Sequence, residues 1–369
     1  MPERISFACL KHEDHSCNNI GFGVACVASY AKKVFGSQIQ IELSQLPEDL
    51  ESQLSKNIQR VLCFTNYCWN LNISCEFAKR VKEKSPETIV IFGGPNYPLL
   101  EEDQKEFLLA HPEIDFYVFR DGELAFAELL KVLFENNFNG KKIKENQVRV
   151  AQTHYLVENE IICGEIGPQI MNLDEIPSPY LSGLCDNLLS QNLIPNIQTK
   201  RGCPFQCTFC EDGHSYHNKI RRFSFDRVRE ELWYIASRTK APHVMISDLN
   251  FGMYQEDLEV AKILRSMIDR DGWPKAITAS PGKSQPARVG EVVGIINGKG
   301  RGIIKFGASM QSTDPEVLKA ISRKNLPADR VKDVVNANQY DEDFTEYFTE
   351  LILGLPGDTK EKHYQSLRD

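Results

Sequence analysis

No stretch of this sequence stays apolar for the ~20 residues that a membrane helix requires, so no membrane contact is expected. The start, MPERISFACLKHED, lacks the basic region, apolar core and small-residue cleavage site of a secretory leader, which makes the cytoplasm the expected setting. Low-complexity tracts and internal repeats are absent as well. There is no excess of basic charge: 43 Lys and Arg against 51 Asp and Glu give a net charge of −8. That balance offers no general attraction to a polyanion, so nucleic acid is not an expected partner. The dense basic patch KIRR, Lys219 to Arg222, reads either as a solvated loop or as a contact to an anionic substrate or cofactor. What is present is ordinary for a globular chain, with 41% hydrophobic and 25% charged residues over 369 positions, enough for two domains with cores of their own. Eleven cysteines in a reducing compartment point to thiols or metal ligands rather than a disulfide framework.

Up to about residue 136, short β-branched or aromatic runs alternate with longer amphipathic ones, the pattern of a doubly wound α/β domain with a parallel sheet. Strands are expected at Ile5 to Leu10, Ile39 to Leu43, Arg60 to Thr65, Thr88 to Gly93 and Asp115 to Phe119. Helices are expected near Gly21 to Val34, Leu71 to Lys84, Glu101 to Ala110 and Glu123 to Glu135. Ligands of such sheets bind beyond the carboxyl ends of the strands. Here those ends carry Lys11 to Gly21, Asn66 to Asn70, Gly93 to Pro98 and Arg120 to Glu123. Gly93 and Gly94 before Pro95 read as a strand-to-loop turn or as a close approach of backbone to a flat ligand.

Residues 148 to 163 alternate as a hairpin turning at Glu158 to Glu160, and the run from Pro168 to Pro179 reads as a linker. The domains expected are therefore 1–145, a hairpin and linker over 146–190, and 191–369. In the last of these, strands are expected at Asn196 to Lys200, His243 to Ser247, Lys275 to Ala279, Gly302 to Gly307 and Glu346 to Leu353. Helices are expected at Asp226 to Arg238, Glu256 to Arg270, Pro286 to Ile296, Pro315 to Ser322 and Ala328 to Asn338. This alternation gives a curved parallel sheet or partial (β/α) barrel.

The strongest chemical signal is TKRGCPFQCTFC, in which Cys203, Cys207 and Cys210 follow the first of these strands with CxxxCxxC spacing. Thiolates so closely spaced can wrap one metal centre. A structural zinc ion would want four ligands, and His214 or His217 could complete its shell. An iron-sulfur cluster held by three cysteines would leave one iron open to a substrate. Gly202 and Pro204 allow a tight turn around the first cysteine, and Phe205 and Phe209 surround the centre with apolar groups. The loop stands at the carboxyl end of a parallel strand, the face where barrel enzymes keep their chemistry.

With these residues in place, essentially the whole chain resembles the radical S-adenosylmethionine (radical SAM) superfamily, in the branch with an N-terminal cobalamin-binding-like domain. The resemblance implies a four-iron four-sulfur (4Fe-4S) cluster on Cys203, Cys207 and Cys210, with the open iron chelating S-adenosylmethionine. Reductive cleavage would then give methionine and a 5′-deoxyadenosyl radical. It implies Phe209 near the adenine, and Ser247, Asp248 and Asn250 of SDLNF near the methionine amino group, a segment that also reads as a helix-capping loop. In GASMQSTDPEVLKAISRKN it implies Ser309 and Gln311 at the ribose or the methionine carboxylate, and in LILGLPGDT it implies Gly354 and Pro356 beside the adenine. A flavodoxin or ferredoxin would supply electrons, and the substrate would be a small molecule.

For the first half, the resemblance implies cobalamin over Asn66, Tyr67, Gly93, Gly94, Pro95, Asp121, Gly122 and Glu123, facing the cluster. The DxHxxG motif that supplies a cobalt ligand is missing, because KHEDHSCNNIG offers only Glu13, His15 and Asn18 at those spacings. Cobalamin without histidine coordination is therefore expected. The function implied is methyl transfer to an unactivated carbon; a radical rearrangement or cyclisation without cobalamin, and a redox or cofactor sensor without turnover, stay open. The family barrel has six strands and five are counted here, so the barrel is expected to be truncated at the C-terminus, with the chain a piece of a longer protein.

Overall fold

The computed structural model describes residues 2–11, 18–57, 59–282, 284–298, 302–325 and 347–369. They form two compact units, one of residues 1–171 with 175–193 and one of residues 172–174 with 194–369.

In the first unit the elements alternate as the sequence pattern requires: β1 (Glu3–Ala8), α1 (Phe22–Phe35), β2 (Ile39–Ser44), α2 (Pro47–Lys56), β3 (Val61–Thr65), α3 (Leu71–Lys84), β4 (Ile89–Gly93), α4 (Glu101–Ala110), β5 (Phe116–Val118), α5 (Gly122–Glu135) and a short α6 (Gly140–Glu145). The five strands pair in parallel in the order β2-β1-β3-β4-β5. That order reverses between β1 and β3, so the loops leaving these two strands open the crevice in which doubly wound sheets bind ligands. Every residue of β3 (VLCFT) is buried, as a strand covered on both faces must be. Cys75 and Ala78 of α3 and Leu108 of α4 pack on Leu62, Phe64, Val90 and Phe92. Phe35 of α1 and Phe134 of α5 stack at 5.3 Å between ring centroids. A Cβ at Gly122 would lie 2.9 Å from Val27 Cγ2, so the start of α5 approaches α1 too closely for a side chain.

The expected hairpin is present as β6 (Thr153–Val157) and β7 (Glu160–Cys163). Its turn residues Glu158 and Asn159 have φ of 48° and 67°, the left-handed pair of a two-residue hairpin turn. β6 pairs antiparallel with β5, so the hairpin extends the sheet to seven strands. His154 of β6 is buried, with Nδ1 3.3 Å from the Tyr97 hydroxyl. Burial lowers its pKa from the ordinary 6.5 to about 4. An unfolded histidine binds a proton below pH 6.5, whereas His154 in the fold does not until about 4. Stability is thus expected to fall between those two pH values, by on the order of 3 kcal/mol, and then to level off. Urea unfolding of the wild type and of His154→Gln across that range checks this, since the variant should lose most of the slope.

After α7 (Asp186–Ser190), which closes the first unit, come β8 (Asn196–Ile197), β9 (Lys200–Arg201), β10 (Arg221–Arg222), α8 (Phe225–Ala236), β11 (His243–Phe251), α9 (Asp257–Asp271), β12 (Ala276–Pro281), α10 (Pro286–Asn297), β13 (Phe306–Gln311), α11 (Pro315–Ala320), β14 (Tyr347–Leu351) and a final helix, Lys360–Arg368. β8, β11 and β12 form a parallel sheet in the order β12-β11-β8, β13 and β14 a parallel pair, and a single parallel bridge, Ile277 to Ile304, lies between β12 and β13.

Two boundaries differ from expectation. The strand expected over Asn196 to Lys200 is divided, because Thr199 and Lys200 turn their backbone N–H groups onto the Asp248 carboxylate at 2.7 and 3.2 Å. The strand expected over Gly302 to Gly307 begins at Phe306 instead. Asn297 occupies both backbone groups of Ile304, accepting from its N–H at 2.9 Å and donating to its carbonyl at 3.0 Å. The helix expected over Ala328 to Asn338 lies outside the described residues.

Candidate active site: the three-cysteine loop

β9 delivers the chain directly into Gly202 and Cys203. Gly202 has φ of 103°, and a Cβ there would sit 2.3 Å from the Lys219 carbonyl oxygen, so only glycine allows the loop to double back on itself. The Cys203 N–H donates to the His217 carbonyl at 2.8 Å, which closes that return. Further on, Cys210 N–H donates to Cys207 O at 3.1 Å and Gly213 N–H to Cys210 O at 2.9 Å. A Cβ at Gly213 would meet Cys207 O at 2.2 Å, a second place where the loop is tight. Cys203 and Cys207 are buried and Cys210 is half-buried.

Neighbouring strands bring polar groups to the sulfurs. Asn250, buried near the end of β11, donates its Nδ2 to Cys203 Sγ at 3.3 Å. Arg323, buried just after α11, holds a guanidinium nitrogen 3.9 Å from Cys207 Sγ. The same guanidinium donates to the Ser309 carbonyl and, through Nε, to Asn325 Oδ1 at 2.9 Å. Arg323 follows a short helix, and its approach to Cys207 is visible only once the chain has folded back.

Phe209 packs against Val317, Ile321 and Leu355, and Leu355 stands between Gly354 and Pro356. The loop after β14 is thereby brought beside the cysteine loop, and the Thr208 N–H donates to Ile321 O at 3.1 Å. Gln311 ends β13 with φ of 68°, is buried, and leaves its Oε1 without a hydrogen-bond partner. Ser309 instead donates to Glu350 Oε2 at 2.5 Å on β14. Ser247 donates to the Ile197 carbonyl at 3.1 Å. Asp248 joins a buried ion cluster: its Oδ2 lies 2.8 Å from Lys200 Nζ, which also contacts Asp257 Oδ1 at 2.5 Å.

In the first unit Asn66 is fully buried and ties two strand-end loops together. Its N–H donates to Gly93 O at 2.6 Å, its Nδ2 to Asn96 O at 2.5 Å, and its Oδ1 accepts from Asn96 Nδ2 at 3.1 Å. Gly94 has φ of 131°, and a Cβ there would be 2.6 Å from Asn66 O. Gly94 thus approaches the Asn66 backbone, whereas a Cβ at Gly93 would meet the Val118 carbonyl oxygen at 3.2 Å. Tyr67 stacks on Trp69 at 4.5 Å. Gly93 is half-buried and Pro95 exposed beside it, while Asp121 caps the start of α5 by position and Glu123 is buried in its first turn. Glu13 and His15 lie outside the described residues, and Asn18 accepts from Lys11 Nζ at 3.5 Å.

Residues 197–369 match the model of the radical SAM superfamily, and residues 19–130 match that of the B12 binding domain. The chain thus carries a radical SAM domain behind a B12-binding domain. The cobalamin-dependent radical SAM methyltransferase TokK of Streptomyces tokunonensis is 30% identical over 305 residues, which are 81% of this chain and 43% of that protein. The 2-(S-pantetheinyl)-carbapenam-3-carboxylate methyltransferase of Streptantibioticus cattleyicolor is 31% identical over 302 residues, 80% of this chain and 42% of that protein. The chain therefore spans less than half the length of these two relatives. Among solved structures, the cobalamin-dependent S-adenosylmethionine radical enzyme OxsB superposes with a TM-score of 0.71 at 13% identity, over 100% of this chain and 51% of that one. The radical S-adenosylmethionine methyltransferase TsrM from Kitasatospora setae gives 0.69 at 12% identity, over 99% and 70%. These two likenesses are of fold. Among the described residues no helix is long and apolar enough to cross a membrane.

Proposed function

We propose that this chain acts as a cobalamin-dependent radical SAM methyltransferase, adding a methyl group to an unactivated carbon of a small molecule. The observation that carries this reading is the cysteine loop itself, with two buried thiols that receive Asn250 and Arg323. When bound, the cluster supplies the electron that cleaves S-adenosylmethionine, and cobalamin supplies the methyl carrier. Cys203, Cys207 and Cys210 would hold the cluster as thiolates.

The chain's own groups fit the remaining tasks. Gln311 Oε1, buried and unpaired, can accept from a ribose hydroxyl, and an acceptor left so would otherwise be costly. Phe209 and the Gly354 to Pro356 turn offer an apolar wall for the adenine. The loops Asn66 to Asn70, Gly93 to Pro98 and Arg120 to Glu123 leave the carboxyl ends of parallel strands, and they would hold cobalamin without a histidine on the cobalt. The B12-binding match and the methyltransferase relatives support that assignment. We further propose a flavodoxin or ferredoxin as electron donor and the cytoplasm as the setting.

Asn250→Ala is expected to lower the reduction potential of the cluster, since an N–H donated to a sulfur ligand favours the more negative, reduced state. Redox titration followed by electron paramagnetic resonance reads the shift; an unchanged potential would show that Asn250 does not bond a cluster ligand. The activity itself is tested by incubating the reconstituted, cobalamin-loaded protein with reductant and methyl-deuterated S-adenosylmethionine. Both 5′-deoxyadenosine and S-adenosylhomocysteine are expected, the second reporting methyl transfer to cobalamin. 5′-Deoxyadenosine without S-adenosylhomocysteine would favour a rearrangement or cyclisation instead.

A further inference from the structure

The first unit holds a second set of donor atoms, remote in sequence from the cysteine loop. Cys75 lies on the buried side of α3, and His111 and Glu113 lie in the turn from α4 to β5. Cys75 Sγ is 3.4 Å from His111 Nδ1, which is 3.3 Å from Glu113 Oε1. Among the described residues, this is the one group of three His, Cys, Asp or Glu side chains whose ligand atoms all lie within 4.8 Å of one another. Cys75 is 4% exposed and the Glu113 side chain 3%, and Glu113 Oε2 is buried without a hydrogen-bond partner. An unpaired carboxylate oxygen in the interior is costly unless a cation or donor meets it.

We propose that Cys75, His111 and Glu113 bind a zinc ion, with a water molecule as fourth ligand. Zinc takes sulfur at about 2.3 Å and nitrogen or oxygen at about 2.0 to 2.1 Å in a tetrahedron, which sets ligand-to-ligand edges of roughly 3.6 Å for S to N and roughly 3.3 Å for N to O. The two separations in the fold, 3.4 and 3.3 Å, already approach those edges. One sulfur, one imidazole and one carboxylate form a donor set suited to zinc rather than to a hard cation such as magnesium. The charges also close, because a dication beside one thiolate and one carboxylate leaves a neutral site that can stay buried.

Binding as a thiolate, Cys75 gives up its proton, so one proton leaves as each ion binds. His111, with 21% of its side chain exposed, gives the route of entry. Bound there, zinc would pin α3, which begins directly after the Asn66 to Asn70 loop, to the end of α4.

Zinc content per chain, measured by mass spectrometry on protein supplied with one equivalent of zinc and then desalted, tests the site. Wild type and the Cys203→Ser, Cys207→Ser, Cys210→Ser protein should each retain about one ion per chain. Cys75→Ser and the near-isosteric Glu113→Gln should each lose it, and the zinc-dependent rise in melting temperature should vanish with it. Wild type that holds no zinc, or zinc retained undiminished in Cys75→Ser, would overturn the proposal. Zinc lost with the three-cysteine substitution would also overturn it, by assigning the metal to that loop.

Discussion

Replacing Cys203, Cys207 and Cys210 together by alanine is expected to abolish cluster assembly, leaving iron and sulfide at background after reconstitution and S-adenosylmethionine uncleaved. The expectation rests on where the other thiols lie. Cys26, Cys63 and Cys185 are buried in the first unit, and burial pushes the Cys63 thiol well above its ordinary pKa, which keeps that thiol protonated. Cys9 and Cys163 are half-buried and Cys68 is exposed, but none shares a compact loop with a second cysteine. Among the described residues, only the CxxxCxxC loop combines short spacing with glycine-tight turns and donors aimed at sulfur. Iron and sulfide that survive the triple substitution undiminished would place the cluster elsewhere.

The largest loss of stability is expected from Lys200→Met. Lys200 is 5% exposed at its side chain and neutralises two buried carboxylates, Asp248 on β11 and Asp257 at the start of α9. Burial pulls the pKa of the ammonium down, but the two carboxylates outweigh it and hold Lys200 above its ordinary value. Asp257 in turn accepts the backbone N–H groups of Gly252 and Tyr254 at 2.8 and 3.0 Å, and Asp248 accepts those of Thr199 and Lys200. Removing the cation strands two negative charges in the interior, which typically costs about 3 to 5 kcal/mol. Because β9 runs directly into Gly202 and Cys203, cluster content should fall together with stability. Denaturant unfolding of the second unit reads the effect, and adding Asp248→Asn to Lys200→Met should recover part of it. A change below about 1 kcal/mol, the level of an exposed ion pair, would contradict a buried clamp.

Much of this architecture was legible because strand and helix impose different periods on apolar residues. Helices Leu71–Lys84 and Glu101–Ala110 have the bounds that the 3.6-residue pattern implies, and the parallel strands β1 to β5 fall within a few residues of their apolar runs. The cysteine loop stood out because its three cysteines are neighbours in sequence. What escaped depends on partners far along the chain. Asp248 stood out within SDLNF, but nothing in the sequence tied it to Lys200, 48 residues earlier, with which it pairs. Ile303 and Ile304 looked like the start of a strand, but Asn297 caps the Ile304 backbone and the strand begins at Phe306. The pairing of β6 with β5 left no trace in periodicity, since alternation fixes a strand's faces and not its neighbour. Gly94 was marked as special by its place in GGP, but the Asn66 backbone that requires it lies 28 residues away in sequence and became visible only in three dimensions.

The central claim is that a cluster on three cysteines keeps one iron for S-adenosylmethionine. Electron-nuclear double resonance on the reduced, cluster-loaded protein addresses it directly, using S-adenosylmethionine labelled with oxygen-17 in the carboxylate and nitrogen-15 in the amino group. Direct hyperfine coupling from both labels to the cluster spin is the predicted result. A spectrum with no coupling from either label, in protein shown to bind the labelled compound, would contradict it.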